Sequence, residues 1–175
     1  VISRYRLLDI LREALPEGAC ETGQVATSYE KLPGGRAALN FEGGRREEGA
    51  LVVAADGIRS ALRQQMKGDL PTYSGYSCYT ATCKFEAEDV DTVGYQVFLG
   101  YQQYFVASDV GDGLTQFYAF CKRESGSEKR EGCMKEELLD FFGDWCPAVV
   151  ERIEATLPED IECRDIYDHR PCLLY

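Results

Sequence analysis

Asp56-Gly57 is the part of this sequence best placed to do chemistry. It follows the apolar run Ala50-Leu51-Val52-Val53-Ala54-Ala55 and precedes Ile58-Arg59-Ser60-Ala61-Leu62-Arg63, which carries a helix cap and helix formers. A carboxylate beyond the carboxyl end of a strand can accept hydrogen bonds from sugar or ribityl hydroxyls, and the glycine behind it lets backbone approach a ligand closely. The start of the following helix adds a partial positive charge suited to a pyrophosphate. An isolated Asp-Gly is an ordinary turn, so the strand before it and the capped helix after it carry the argument. The other reactive side chains are scattered. The eight cysteines form no C-x-x-C, and the one histidine, His169, has no closely spaced ligand partner, which argues against a structural metal site. Reduced, mostly buried thiols are expected.

The elements that must position this turn read as follows. Ser3 caps a short amphipathic helix through Leu7, Leu8, Leu11, Ala14 and Leu15, ended by Pro16 and Gly18. Val25, Thr27 and Tyr29, then Ala37, Leu39 and Phe41, alternate as two strands of a meander. After the charged stretch Arg45 to Glu48, Ala50 to Ala55 is continuously apolar, as parallel strands covered on both faces are. Ser60 to Lys67 is helical, giving strand, sharp turn, helix. From Pro71 to about Lys122 the composition of Tyr, Phe, Thr, Val and Gly predicts an antiparallel sheet of about four strands. A polar loop covers 124–133, and Glu136 to Ala155 returns to helical periodicity that Pro147 should kink or divide. Ile161 to Tyr167 alternates as a last strand.

The chain has 175 residues, 45% of them hydrophobic, and a net charge of −11. That composition excludes a disordered tail and opposes a nucleic-acid surface, which needs a basic face. No apolar run approaches the roughly 20 residues that span a bilayer. The start at Val1, without Met and directly in a periodic pattern, reads as a fragment.

Ala54-Ala55-Asp56-Gly57-Ile58-Arg59-Ser60-Ala61-Leu62-Arg63 resembles the second fingerprint, G-A-D-G-x-x-S-x-x-R, of FAD-dependent flavoprotein monooxygenases of the aromatic-hydroxylase type, with Ala54 in place of the first glycine. The likeness extends through Val1-Ile2-Ser3-Arg4, Tyr73 to Thr80, Val93 to Gly100, Gln103 to Gly111, Phe141 to Cys146 and Arg164 to Asp168, and narrows to a carotenoid-epoxidising branch. The resemblance implies an α/β fold, α+β as a fragment, in three parts: a partial FAD-binding domain over 1–70, a substrate-domain sheet and helix over 71–163, and a return toward the FAD-binding domain over 164–175. It implies that Arg4 reaches the FAD pyrophosphate, that Val25 contacts the adenine end through its backbone, and that Asp56 and Gly57 meet the flavin nucleotide. Arg63 either braces that turn or faces solvent. The alternating aromatic sheet would cover the flavin ring and an apolar ligand.

No residue is expected to act as a catalytic acid or base, because the cofactor carries the chemistry. FAD is the implied cofactor, with reduced ferredoxin or NAD(P)H as electron donor. A carotenoid and O2 are the implied substrates, with peripheral thylakoid contact and a plastid location. His169 stands where the family pattern shows arginine and is given no catalytic role. The resemblance implies that the family's G-x-G-x-x-G lies upstream of Val1 and its Gly-Asp motif downstream of Tyr175. A hydroxylase of small aromatics and a non-catalytic remnant or interaction module remain as alternatives.

Overall fold

The computed structural model describes residues 2–85, 94–126 and 134–171. It divides into two compact units, Val1–Glu13 with Tyr73–Ile166, and Ala14–Thr72 with Tyr167–Tyr175. The fold is mixed α/β, with two sheets and helices among the described residues.

In the larger unit, β4 (Thr72–Lys84), β5 (Tyr95–Gly100), β6 (Gln103–Gly111), β7 (Leu114–Lys122) and β8 (Glu162–Asp168) form one sheet in the order β5-β6-β7-β4-β8. The first four strands pair antiparallel. Alternation is clean: in β7, Thr115, Phe117, Ala119 and Cys121 are buried and the residues between them half-buried. The buried set faces α3 (Met134–Phe142) and α4 (Pro147–Glu154) through Leu138, Phe142, Val149 and Ile153. Phe105 stacks on Phe117 with centroids 5.0 Å apart and meets Phe142 edge-on at 5.9 Å. Such aromatic contacts add about 0.5–1.5 kcal/mol each beyond area burial.

Pro147 divides the helical segment in two, because its ring is accommodated at the first turn of α4 and not inside a helix. Trp145, in the connection, lies over Gly100, where an added Cβ would come within 2.6 Å of the indole. Two polar networks are built into this core. Tyr79 Oη donates to Glu137 Oε2 (2.6 Å) and Arg123 Nη2 to Glu137 Oε1 (2.8 Å), and Ser77 Oγ donates to Asp165 Oδ1 (2.7 Å). Helix α1 (Arg4–Glu13) starts at Ser3, whose Oγ accepts from the Arg6 N–H (3.2 Å), and none of its residues is buried.

In the smaller unit, β1 (Ala26–Lys31), β2 (Ala37–Phe41) and β3 (Arg46–Gly49) form an antiparallel meander. The charged stretch is therefore the third strand and no loop. Residues two apart share a strand face, so Arg46 pairs with Glu48 and, across the sheet, with Glu30 at 3.4 Å. Such a charged edge discourages further pairing. Helix α2 (Ala61–Lys67) docks by a side-chain amide: Gln65 Nε2 donates to the Tyr29 carbonyl, and Gln65 Oε1 accepts from the Tyr29 N–H, both at 2.8 Å.

The run Ala50 to Ala55 departs from the expected buried parallel strand. Residues 51–57 are irregular, with Leu51 76% and Val53 77% exposed. A parallel strand is buried only by neighbours on both sides and helices on both faces, and no described residue pairs with this run. The polar loop over 124–133 lies outside the described residues from 127 onward. Of the six described cysteines, all free thiols, Cys78, Cys83 and Cys121 are buried, Cys163 is half-buried and Cys20 and Cys146 are exposed, while Cys133 and Cys172 lie outside the described residues.

Candidate functional site

The Asp56-Gly57 turn is built by its own neighbours. Ser60 caps α2, its Oγ accepting from the Arg63 N–H (2.9 Å) while donating to Asp56 Oδ1 (2.6 Å). The Ser60 hydroxyl, with lesser help from the Ala61 and Leu62 N–H groups, holds the exposed Asp56 carboxyl below its ordinary range. The start of α2 thus faces the chain's own carboxylate, where the sequence suggested room for a pyrophosphate. The helix-end partial charge is already matched by Asp56. Gly57 has φ +84 and open space where a Cβ would be, so backbone conformation and not crowding requires glycine here.

The Arg63 side chain is half-buried and holds the exit of α2. Its Nε and Nη2 donate to the two Asp69 oxygens at 3.3 and 2.9 Å, just past the end of the helix. Arg59 lies over the Tyr167 ring at 5.0 Å. His169 Nε2 is 2.7 Å from the Ile58 carbonyl oxygen. Val25, also in this unit, is 53% exposed just before β1, its carbonyl accepting from the Glu42 N–H (2.9 Å).

The larger unit carries a cleft of about 580 Å³ on the sheet face opposite the buried core. Strand register composes that face in rows: Leu99–Tyr104–Phe120–Cys78, then Val97–Val106–Tyr118–Thr80, then Tyr95–Ser108–Gln116–Thr82. Tyr104 and Phe120 stack at 4.2 Å with planes 12° apart. Arg4 and Tyr5 of α1 border the cleft beside Glu162 and Arg164 of β8. Thr80 Oγ1, in the middle row, is buried without a hydrogen-bond partner. A hydroxyl so left costs about 1–3 kcal/mol. Arg4 therefore stands with the sheet face, and Val25, Asp56 and Gly57 stand in the other unit.

Tyr104, Tyr118, Phe120 and Thr80 were not singled out by the sequence. Period-two alternation was visible in Gln116, Tyr118 and Phe120, but which parity faces the helices depends on packing. Among the described residues no His, Cys, Asp and Glu cluster could hold a metal ion.

Within the smaller unit, the Asp56-Gly57 turn offers an exposed anionic acceptor and backbone without a side chain. Two classes of known protein bear on it. The fold is that of FAD-containing monooxygenases: Klebsiella pneumoniae HpxO complexed with FAD and uric acid superposes with TM-score 0.83 at 24% identity, covering 97% of this chain and 44% of that one. A salicylate hydroxylase substrate complex gives TM-score 0.68 at 21% identity over 94% of this chain and 46% of that one. No family model matches the chain.

In sequence the chain is related, along nearly all its length, to the chloroplastic zeaxanthin epoxidases. It is 44% identical over 172 residues to that of Solanum lycopersicum, which covers 98% of this chain and 26% of the tomato protein. Over 173 residues it is 46% identical to that of an Oncidium hybrid cultivar, with the same coverage. The chain spans about a quarter of the length of these curated relatives.

Proposed function

We propose that this chain supplies the substrate-facing sheet and the Asp56-Gly57 fingerprint of an FAD-dependent monooxygenase that epoxidises zeaxanthin to antheraxanthin and violaxanthin. The observation that carries it is the open sheet face. Its apolar and aromatic first row crosses four strands, a span of about 14 Å at ~4.8 Å per strand, and suits a rod-like polyene better than a compact ring. Arg4 would meet the FAD pyrophosphate, Val25 the adenine end, and Asp56 and Gly57 the flavin nucleotide. Bound FAD would supply oxygen activation. The protein's own residues would bind and orient the polyene on the Tyr104–Phe120 stack and exclude water from it. The division proposed is residues 1–70 for the partial FAD domain, 71–163 for the substrate sheet and helix, and 164–175 for the return. Because the chain spans about a quarter of the length of its curated relatives, the chain by itself is proposed to be inactive.

A plastid location is proposed from the relatives' names. No helix among the described residues is long and apolar enough to cross a membrane. Peripheral thylakoid contact is assigned to the β5–β6 hairpin. No residue from Gly94 to Ser108 is charged, and Tyr95, Val97, Leu99 and Tyr101 are all exposed. An uncharged apolar edge suits a lipid surface that a net charge of −11 would otherwise avoid. The unsatisfied Thr80 hydroxyl favours a second reading, hydroxylation of a small polar aromatic ring.

The test is a chimera in which this chain replaces the matching stretch of tomato zeaxanthin epoxidase. It is assayed with O2 and either reduced ferredoxin or NADPH, with zeaxanthin and salicylate as substrates. Epoxide formation that falls at least tenfold in Phe120→Ala is expected. A chimera that binds FAD yet makes no epoxide overturns the reading, and hydroxylated salicylate in its place establishes the second.

A further inference from the structure

We propose that His169 is a positioning residue that clamps the Asp56-Gly57-Ile58 turn from the far end of the chain. A carbonyl only accepts, so the 2.7 Å contact with Ile58 requires the proton on Nε2. The other ring nitrogen, Nδ1, is 3.3 Å from Asp69 Oδ2, within ion-pair distance but outside hydrogen-bond alignment, and is buried. The imidazole side chain is only 13% exposed, so water competes weakly for either nitrogen.

Asp69 is itself fixed by both Arg63 contacts, and Arg63 caps back to Ser60 through its N–H. His169 thus ties the Ile58 backbone to the end of α2, while Ser60 ties Asp56 to its start. The two ties bracket the turn.

The full chain contains one histidine, so 15N imidazole spectra report His169 directly. With the ring neutral, the Nε2–H tautomer is expected; the Nδ1–H tautomer or an even mixture overturns the clamp. Amide exchange at Gly57–Ser60 should be about five- to tenfold faster in His169→Ala, the loss of one hydrogen bond. His169→Gln, whose amide reaches the same carbonyl, should recover most of it, and unchanged exchange in the alanine variant overturns the proposal.

The consequence for flavin rests on the function proposed above. FAD titration in the tomato chimera should show about five- to tenfold weaker binding in His169→Ala and wild-type binding in His169→Arg. Equal affinity in His169→Ala overturns the positioning role. A chain that passes the tautomer and exchange tests in a chimera that does not bind FAD keeps the clamp and loses the flavin reading.

Discussion

Ser60 serves two neighbours at once, donating to the Asp56 carboxylate and accepting from the Arg63 N–H. Removing its hydroxyl deletes a helix cap and leaves the carboxylate facing only the first N–H groups of α2. Ser60→Ala should lower stability by about 1 kcal/mol, the usual loss for a cap, read as a shift in the denaturant midpoint. Asp56 gives that variant a pH signature. Its native pKa is depressed below the ordinary 3.8. Its contribution to stability is therefore complete above 3.8 and is lost as pH falls through the depressed native value. The gap between wild type and Ser60→Ala should be widest at pH 7 and narrow toward the cap's own contribution in the most acidic solutions; a gap that stays constant down to pH 2 contradicts this account. Asp56 and Gly57 were legible in the sequence because a local string, apolar run, turn and cap, defines them. His169 was not, because its partner Ile58 lies 111 residues away and no local pattern records a contact of that span.

At the scale of elements, the hairpin β5–β6 is seated on the connection between α3 and α4 by one glycine. Gly100 lies on the helix-facing side of β5, and Trp145 occupies the space a side chain would need. Gly100→Ala should destabilise the protein by about 1–3 kcal/mol through overpacking, and a second change, Trp145→Phe, should recover part of it. A strictly additive double mutant would show that the two do not press on each other. Deeper in the sheet, Phe117 is fully buried between Phe105 and the helices. Phe117→Ala should cost about 3–5 kcal/mol. These elements were legible because their periods are strong: alternation in β7, helical spacing from Leu138 to Ile153, and a proline placed to break it. The Ala50 to Ala55 run misled because its signal is hydrophobicity without period, which specifies burial by partners that the described residues do not supply. β3 was missed for the opposite reason: its residues are charged, and only pairing with β2 and salt bridges across to Glu30 make a strand of them.

Over the whole molecule, buried thiols set a boundary on the alkaline side. Burial pushes Cys78 and Cys121 up to about 12 from an ordinary 9.0, and it raises Cys83 as well. In the unfolded chain the same thiols would lose their protons near 9, so above that pH the unfolded state binds fewer protons than the native state. Stability should therefore be level, as far as these groups decide it, up to about pH 9 and fall steadily toward 12. A net charge of −11 at neutrality, growing more negative as thiols and tyrosines ionise, works in the same direction through self-repulsion. Replacing both Cys78 and Cys121 with alanine separates the two effects, since it removes the linked protons and leaves the net charge at pH 7 unchanged. The double variant should show a shallower decline in denaturant midpoint between pH 9 and 11 than the wild type. In native wild type at pH 8, a thiol reagent should modify the exposed Cys20 and Cys146 quickly and reach the core-face Cys83 and Cys121 only as fast as the protein opens. Equal rates at all four positions would mean that the sheet is not closed on its core face.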